Sequence, residues 1–372
     1  MRRSKLSLAA IPASVLMLAA CSQPAEQAAE DVEVGGADVQ SNLSIVTGGT
    51  TGVYYPIGGA LSGIIGDNLE GQSASVEATG ASVENIRLLG SGESHLAIVQ
   101  GDAADQAFTG TGDFEGGAVE TYSLAVLYPN VFHAVTLQSI AEREDFNCFR
   151  DVIGTRYSVG DIGSGNEATT TQVFSSLEIG PSQVELQQLG YAETANALTN
   201  NQLDAGSWVV GEGHSGITEL GTTEDIALIE ICDDERDAIV SGYGGYTEHV
   251  IEGGTYPGID EDVQTIAVWN ALVVPGSFND DQAYEITKAM FENIDQVVGV
   301  YAPGEQYLVP ETIENSPVPV HPGALRFYEE QGVGVPEDLR PEGAPTPPEP
   351  PRSRVPPMTR AAMDPRVSSV PR

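Results

Sequence analysis

Lysine is nearly missing from this chain: Lys5 and Lys288 are the only two in 372 residues. Lysine and arginine together number 16 against 54 aspartates and glutamates, a formal net charge of −38. So acidic a surface repels nucleic-acid phosphates and anionic lipid headgroups, which excludes both as partners. It also suits a saline medium, where screening relieves the self-repulsion. Aromatic residues are few, at 6 %, yet 41 % hydrophobic residues suffice for a core. The length fits one large two-lobed unit or two ordinary domains. Catalytic signatures are missing too. No serine stands in a G-x-S-x-G elbow. The five histidines, His95, His133, His214, His249 and His321, are scattered. None forms an HExxH motif or a tight His/Cys/Asp group. The expectation is a protein that is not an enzyme and holds neither metal nor cofactor.

Cysteine is scarce: Cys21, Cys148 and Cys232. The first belongs to the start of the chain. Met1-Arg2-Arg3-Ser4-Lys5 is basic, and the apolar run from Leu6 to Leu18 is too short to span a bilayer. Leu18-Ala19-Ala20-Cys21 then reads as a lipobox. Residues 1–20 are expected to be a lipoprotein signal peptide, and Cys21 the acylated first residue of an exported protein held to the membrane by lipid alone. Residues 21–42, small, polar and acidic, read as a flexible tether. Outside the cytoplasm, Cys148 and Cys232 are either a disulfide or two buried thiols, and the sequence leaves both open. Residues 334–372 lead into a segment rich in proline and arginine and read as a disordered tail.

Between these ends the chain alternates short apolar strands with helical periodicity. Residues 43–46 are β-prone, and Ile57, Leu61, Ile64, Ile65 and Leu69 then recur at helical spacing. Ser73–Ala78 and His95–Val99 are further strands, with a helix over 81–89 between them. Ser123–Tyr128 and Val131–Leu137 are two consecutive strand-like runs, after which the same rhythm repeats to residue 210. Two halves with one rhythm indicate an α/β protein of two lobes, with ligand held in the cleft at the carboxyl ends of the strands.

Three turns share one design: a strand, small residues, then a helix start. They are Thr47-Gly48-Gly49-Thr50-Thr51-Gly52, Ala78-Thr79-Gly80-Ala81-Ser82-Val83-Glu84-Asn85, and Val159-Gly160-Asp161-Ile162-Gly163-Ser164-Gly165-Asn166-Glu167. Helix N-termini carry unpaired N–H groups and partial positive charge. Glycines admit a ligand to the backbone and hydroxyls add donors, so an anion can be held without lysine or arginine. Each turn also has a purely structural reading, since Ser82 and Ser164 suit helix capping and Ser164-Gly165-Asn166-Glu167 fits a capping box. The third turn carries a weak dinucleotide fingerprint at Gly163, Gly165 and Ala168, with Glu185 beyond, which an exported protein has little use for.

At these turns the chain resembles the TAXI family, the solute receptors of one class of TRAP transporters. The resemblance rests on TGGTTGVYYPIGGALSGII (47–65), EATGASVENIRLLGSGESHLAIVQGDAADQA (77–107), YSVGDIGSGNEATT (157–170), LTNNQLDAGSWVVG (198–211) and LVPETIENSPVPVHPGALRFYEEQGV (308–333). It implies a two-lobed type II periplasmic-binding-protein-like fold with a central ligand cleft and hinge. Lobe 1 would hold residues 43–130 plus about 260–333, and lobe 2 residues 131–259. It implies no catalysis, a small organic acid as ligand (a glutamate-like amino acid or a dicarboxylate), and TRAP membrane permease subunits as partners. A sensor of the same fold reporting to a membrane kinase is the alternative. By position the ligand would meet Thr50, Thr51 and Tyr54, then Ser82, Asn85 and Gln100 from one lobe. Ser164, Gly165, Asn166, Glu167 and Trp208 would come from the other. Thr155 stands where the family carries a lysine, and the arginine-rich tail is outside the family pattern.

Overall fold

The computed structural model describes residues 35–342. The signal peptide, Cys21 with its lipidation, the first part of the tether and the tail beyond 342 lie outside these residues.

Three β-α units open the described chain. They are β1 (Asn42–Val46) with α1 (Tyr54–Asn68), β2 (Ser73–Glu77) with α2 (Ser82–Ser91), and β3 (Leu96–Gln100) with α3 (Gly101–Thr109). Ile57, Leu61, Ile64 and Ile65 form the apolar stripe of α1, each at most 1 % exposed. A 17-residue strand, β4 (Thr121–Leu137), follows and is buried almost throughout, as a strand covered on both faces must be. The two runs expected at 123–128 and 131–137 are thus one strand. The next elements are α4 (Gln138–Glu144), β5 (Arg156–Ser158), α5 (Gly165–Ser176), β6 (Glu185–Gln187), α6 (Tyr191–Thr199) and β7 (Ala205–Val210). They continue through α7 (Ser215–Thr223), β8 (Ile226–Leu228), α8 (Asp233–Gly242), β9 (Tyr246–Ile251) and a second long strand, β10 (Val263–Pro275). Helices α9 (Asp280–Glu292), α10 (Ile294–Val300) and α11 (Pro322–Gln331) complete the set.

The strands form one sheet in the order β2-β1-β3-β10-β4-β7-β5-β6, with β8 added on β4 and β9 on β10. The antiparallel pair β4 and β10 serves both lobes. The last residues of β10 pair with β3 and its first residues with β9. The last residues of β4 pair with β7 and β8. Both strands pass between lobes near Pro129–Asn130 and Trp269–Asn270, where the register slips between Trp269 and Ala271. A proline fits at such a slip because it has no N–H to offer the ladder.

Each lobe has its own core. Ile45, Leu61, Leu127 and Leu272 belong to the first, and Phe149, Tyr157, Phe174 and Ile266 to the second. Val268 still packs in the second core. The return to lobe 1, expected near 260, therefore comes at Trp269–Asn270. Two further expectations are corrected. The end of the tether is pinned: Gly35 N donates to Gly276 O at 2.7 Å, and Gln282 Nε2 donates to Gln40 O at 2.7 Å. The start of the expected tail is ordered through Arg340, because Val335 and Leu339 join the lobe 1 core and Arg340 pairs with Glu329.

Cys148 and Cys232 are joined in a disulfide with Cα atoms 5.4 Å apart across 84 residues of sequence. Closing a loop of that size removes about 4.5 kcal/mol of chain entropy from the unfolded state. Glu235 accepts from the backbone N–H groups of Phe149, Arg150 and Cys232 beside it. These two cysteines and Glu235 are the one grouping of metal-type ligand atoms among the described residues. Bonded sulfurs and a carboxylate occupied by three amides leave nothing for an ion. Among the described residues no helix is long and apolar enough to cross a membrane.

Candidate ligand-binding cleft

Between the lobes lies a cavity of about 360 Å³, within the range of small-molecule sites. Its polarity comes from helix ends. The N-cap residues of five helices line it: Val53 of α1, Ala81 of α2, Gln100 of α3, Ser164 of α5 and Gly190 of α6. Only Ser164 supplies a side-chain cap, accepting from Glu167 N at 3.0 Å. Val53, Ala81 and Gly190 make no side-chain capping bond. First-turn N–H groups with no side-chain cap, backed by five helix dipoles, make the cavity attractive to a carboxylate. No lysine, arginine or histidine is among the lining residues, and two carboxylates, Asp161 and Glu193, stand at the exposed rim.

Ala81 carries φ +82° and ψ −144°, a backbone region that costs a residue with a Cβ on the order of 1–3 kcal/mol and concentrates at ligand clamps. The strain is held by Ala81 N donating to Thr79 Oγ1 at 3.0 Å and by Glu84 N donating across the cleft to Gly163 O at 3.2 Å. That interlobe bond brings the second and third turns together, so the cleft is drawn closed at this lip.

Aromatic rings form the walls. The Tyr54 hydroxyl donates to Asn270 Oδ1 on the hinge strand β10, and Asn270 Nδ2 donates to Tyr128 O at 2.8 Å. Burial pushes the Tyr54 hydroxyl far above its usual range, so it stays a neutral donor. Tyr128 contributes a ring from β4, and Tyr191 one from the start of α6. Two carboxamide oxygens, Asn130 Oδ1 and Asn166 Oδ1, are buried in this lining with no hydrogen-bond partner.

Behind the cavity a buried network ties the lobes near the crossing. Gln100 Nε2 donates to Gly165 O at 3.1 Å and to Thr169 Oγ1 at 2.7 Å. Asp102, 1 % exposed, accepts from the Thr169 hydroxyl, from Tyr246 Oη at 2.8 Å and from Ala103 N at 2.8 Å. Burial raises the Asp102 carboxyl above the usual carboxylate range.

A family model described as the NMT1-like family matches residues 45–332. The chain belongs to that family. Among solved structures it is similar to the periplasmic aliphatic sulphonate-binding protein SsuA of Escherichia coli, at 11 % identity. There the match covers 81 % of this chain and 96 % of that one, with a TM-score of 0.43. It is also similar to an ABC-transporter periplasmic substrate-binding protein of Coxiella burnetii, with 11 % identity, 70 % and 98 % coverage and a TM-score of 0.40. A Candida albicans protein described as having the generic periplasmic-binding-protein fold matches at 15 % identity, 78 % and 81 % coverage and a TM-score of 0.43.

In this NMT1-like chain seven of the eleven residues expected to meet ligand line the cavity: Thr50, Thr51, Tyr54, Gln100, Ser164, Gly165 and Asn166. Four do not. Ser82 is buried, its hydroxyl accepting from Gln100 N at 3.0 Å. Asn85 has no exposure and is used up by the fold, with Nδ2 donating to Thr47 O and to Ile98 O at 2.9 Å. Glu167 turns away to accept from Gly163 N at 2.6 Å and from Gln188 Nε2. Trp208, 1 % exposed, lies behind Tyr191, the rings stacked with centroids 6.1 Å apart. Tyr128, Asn130, Gly190 and Tyr191 line the cavity without having been singled out. The helix periodicity that opens at Tyr191, just after Gly190, was the available signal for two of them.

Proposed function

We propose that this chain is an extracytoplasmic solute-binding receptor. It closes two lobes on a small organic acid, a glutamate-like amino acid or a dicarboxylate, and delivers it to a TRAP-type permease driven by an ion gradient. The observation that carries the reading is the convergence of five helix N-caps on one interlobe cavity whose lining has no basic side chain. Such a site binds anions through backbone dipoles and releases them without breaking a strong ion pair. Nothing in its lining pairs a nucleophile with a base, so the ligand leaves unchanged. The two-strand crossing supplies the hinge, and a ligand touching both lobes favours the closed arrangement a permease reads. Membership of the NMT1-like family and the motif resemblance support the same role, and the lipobox at Leu18–Cys21 supplies the membrane attachment.

Native mass spectrometry of the purified protein, followed by calorimetry with the acid that copurifies, tests the reading. The expected result is one bound acid per chain with micromolar or tighter affinity, about −8 kcal/mol or better. A protein silent toward a panel of amino acids and dicarboxylates overturns it. Binding of an acid without transport when the permease is supplied keeps the receptor but shifts delivery to signalling through a membrane kinase.

A further inference from the structure

Beyond Gly211 the cleft opens into a second chamber of about 260 Å³. Thr51, Gly52, Val53 and Gly211 border both spaces, so one ligand can reach from the first into the second. The doorway stays open because Gly211 has no side chain. A Cβ there would stand 2.1 Å from Tyr301 Oη.

Two polar side chains in this chamber each carry a buried atom with no hydrogen-bond partner. His214 is 6 % exposed. Its Nδ1 accepts from Gly216 N at 3.2 Å, which puts the ring proton on Nε2, and that buried Nε2 has no acceptor. Burial lowers the His214 pKa to about 4, so the ring is neutral near pH 7. Glu212 Oε1 is likewise buried without a hydrogen bond. His249 Nε2 lies 3.2 Å from it, an ion pair when that ring is protonated, though not in hydrogen-bonding geometry. The loop that carries both groups is fixed from behind. Gly213 N donates to Tyr256 Oη at 3.0 Å, and that hydroxyl donates to His133 Nε2 at 2.9 Å.

The chamber therefore offers one acceptor and one donor held on a rigid loop. A second carboxylate on the ligand would satisfy His214 but face Glu212. A terminal ammonium would satisfy Glu212 and leave the His214 N–H buried and unpaired. A carboxamide carries both an N–H₂ and a C=O and satisfies the pair at once. An unpaired buried group is what turns such a preference into discrimination. We propose that Glu212 and His214 form a second subsite that reads a terminal carboxamide on the ligand, selecting an acid with an amide end over its dicarboxylate counterpart. This rests on the receptor reading above, whose helix ends hold the ligand's carboxylate in the first chamber.

Calorimetry of the full-length protein with two matched pairs, L-glutamine against L-glutamate and succinamate against succinate, tests it. The amide of at least one pair is expected to bind about tenfold or more tightly than its acid. Glu212→Gln, at a side chain one third exposed, is expected to shrink that ratio to about threefold or less, mainly by tightening the acid. If wild type prefers the acid of each pair it binds, or if Glu212→Gln leaves the ratio unchanged, the subsite falls while the receptor stands. If none of the four binds, the subsite is overturned, and a response to some other acid shows whether the receptor reading survives.

Discussion

The second and third turns have nearly the same composition and opposite uses. Ser82-Val83-Glu84-Asn85 and Ser164-Gly165-Asn166-Glu167 each start a helix at the interlobe lip. In the second turn the fold consumes the serine and asparagine side chains. The Ser82 hydroxyl serves Gln100 N, and Asn85 Oδ1 accepts from Thr79 Oγ1 while its Nδ2 holds two carbonyls. In the third turn Asn166 Nδ2 is spent on Ser207 O at 2.8 Å, but Asn166 Oδ1 is left without a hydrogen-bond partner and Gly165 lines the cavity. Ligand-binding capacity is what remains after folding has taken its share. It depends on partners, which residue types alone do not reveal.

The contrast can be broken from either side. Asn85→Ala removes the buried amide that holds the carbonyls of Thr47 and Ile98, and should cost about 2–3 kcal/mol of folding stability in denaturant titrations while leaving the affinity of the remaining folded protein unchanged. Gly165→Ala has the opposite signature. Its Cβ would meet Gln100 Cδ at 2.6 Å and Ser82 Oγ at 2.7 Å from the other lobe. Overpacking confined to the closed state should weaken ligand binding about tenfold with little loss of thermal stability. A smaller effect separates the two serines. Ser164→Ala removes the one side-chain cap in the cavity and should weaken binding about fivefold, as each oriented donor near an anion contributes about 1 kcal/mol. Ser82→Ala should change affinity less than about twofold, since it costs one internal hydrogen bond. Equal loss in both would mean that Ser82 touches ligand after all.

The mildest effect concerns pH. Asp102 holds its proton more tightly in the folded chain than in the unfolded one, because burial raises its pKa. Its contribution to stability is therefore full below about pH 4 and is lost as pH rises through the folded value. Asp102→Asn should remove that decline, so the difference in unfolding midpoint between variant and wild type grows in the variant's favour from pH 4 toward 7. A difference flat across this window would mean that Asp102 titrates alike in both states.

The β-turn-α frame was legible because glycine turns and helical periodicity fall together at Thr47–Leu69, at Ala78–Leu89 and at Val159–Phe174. The four-residue stretch that decides the architecture was not. Tyr128-Pro129-Asn130-Val131 looks like a break between strands, and only its pairing with Trp269 and Ala267 shows a strand passing from lobe to lobe. Tyr128 and Asn130 enter the site for that reason, and nothing local marks them. Helix α8 was missed because DDERDAIVSG buries only Glu235, Arg236 and Ile239, too little apolar signal to show a period. Trp208 was placed at the ligand by its position in the family pattern, whereas the fold sets Tyr191 in front of it.

Strand β10 sits between β3 and β4 in the sheet, although it is the last strand to be made. The first lobe is therefore a wall with its middle course missing until residue 275 has arrived, and it is sealed only when Val320, Leu339 and their neighbours close over it. Most of the second lobe is contiguous, from Asn130 to Val268. A chain emerging N-terminus first must therefore assemble its later half while its earlier half waits open, so a protein threaded through a narrow channel stays unfinished until almost all of it is across.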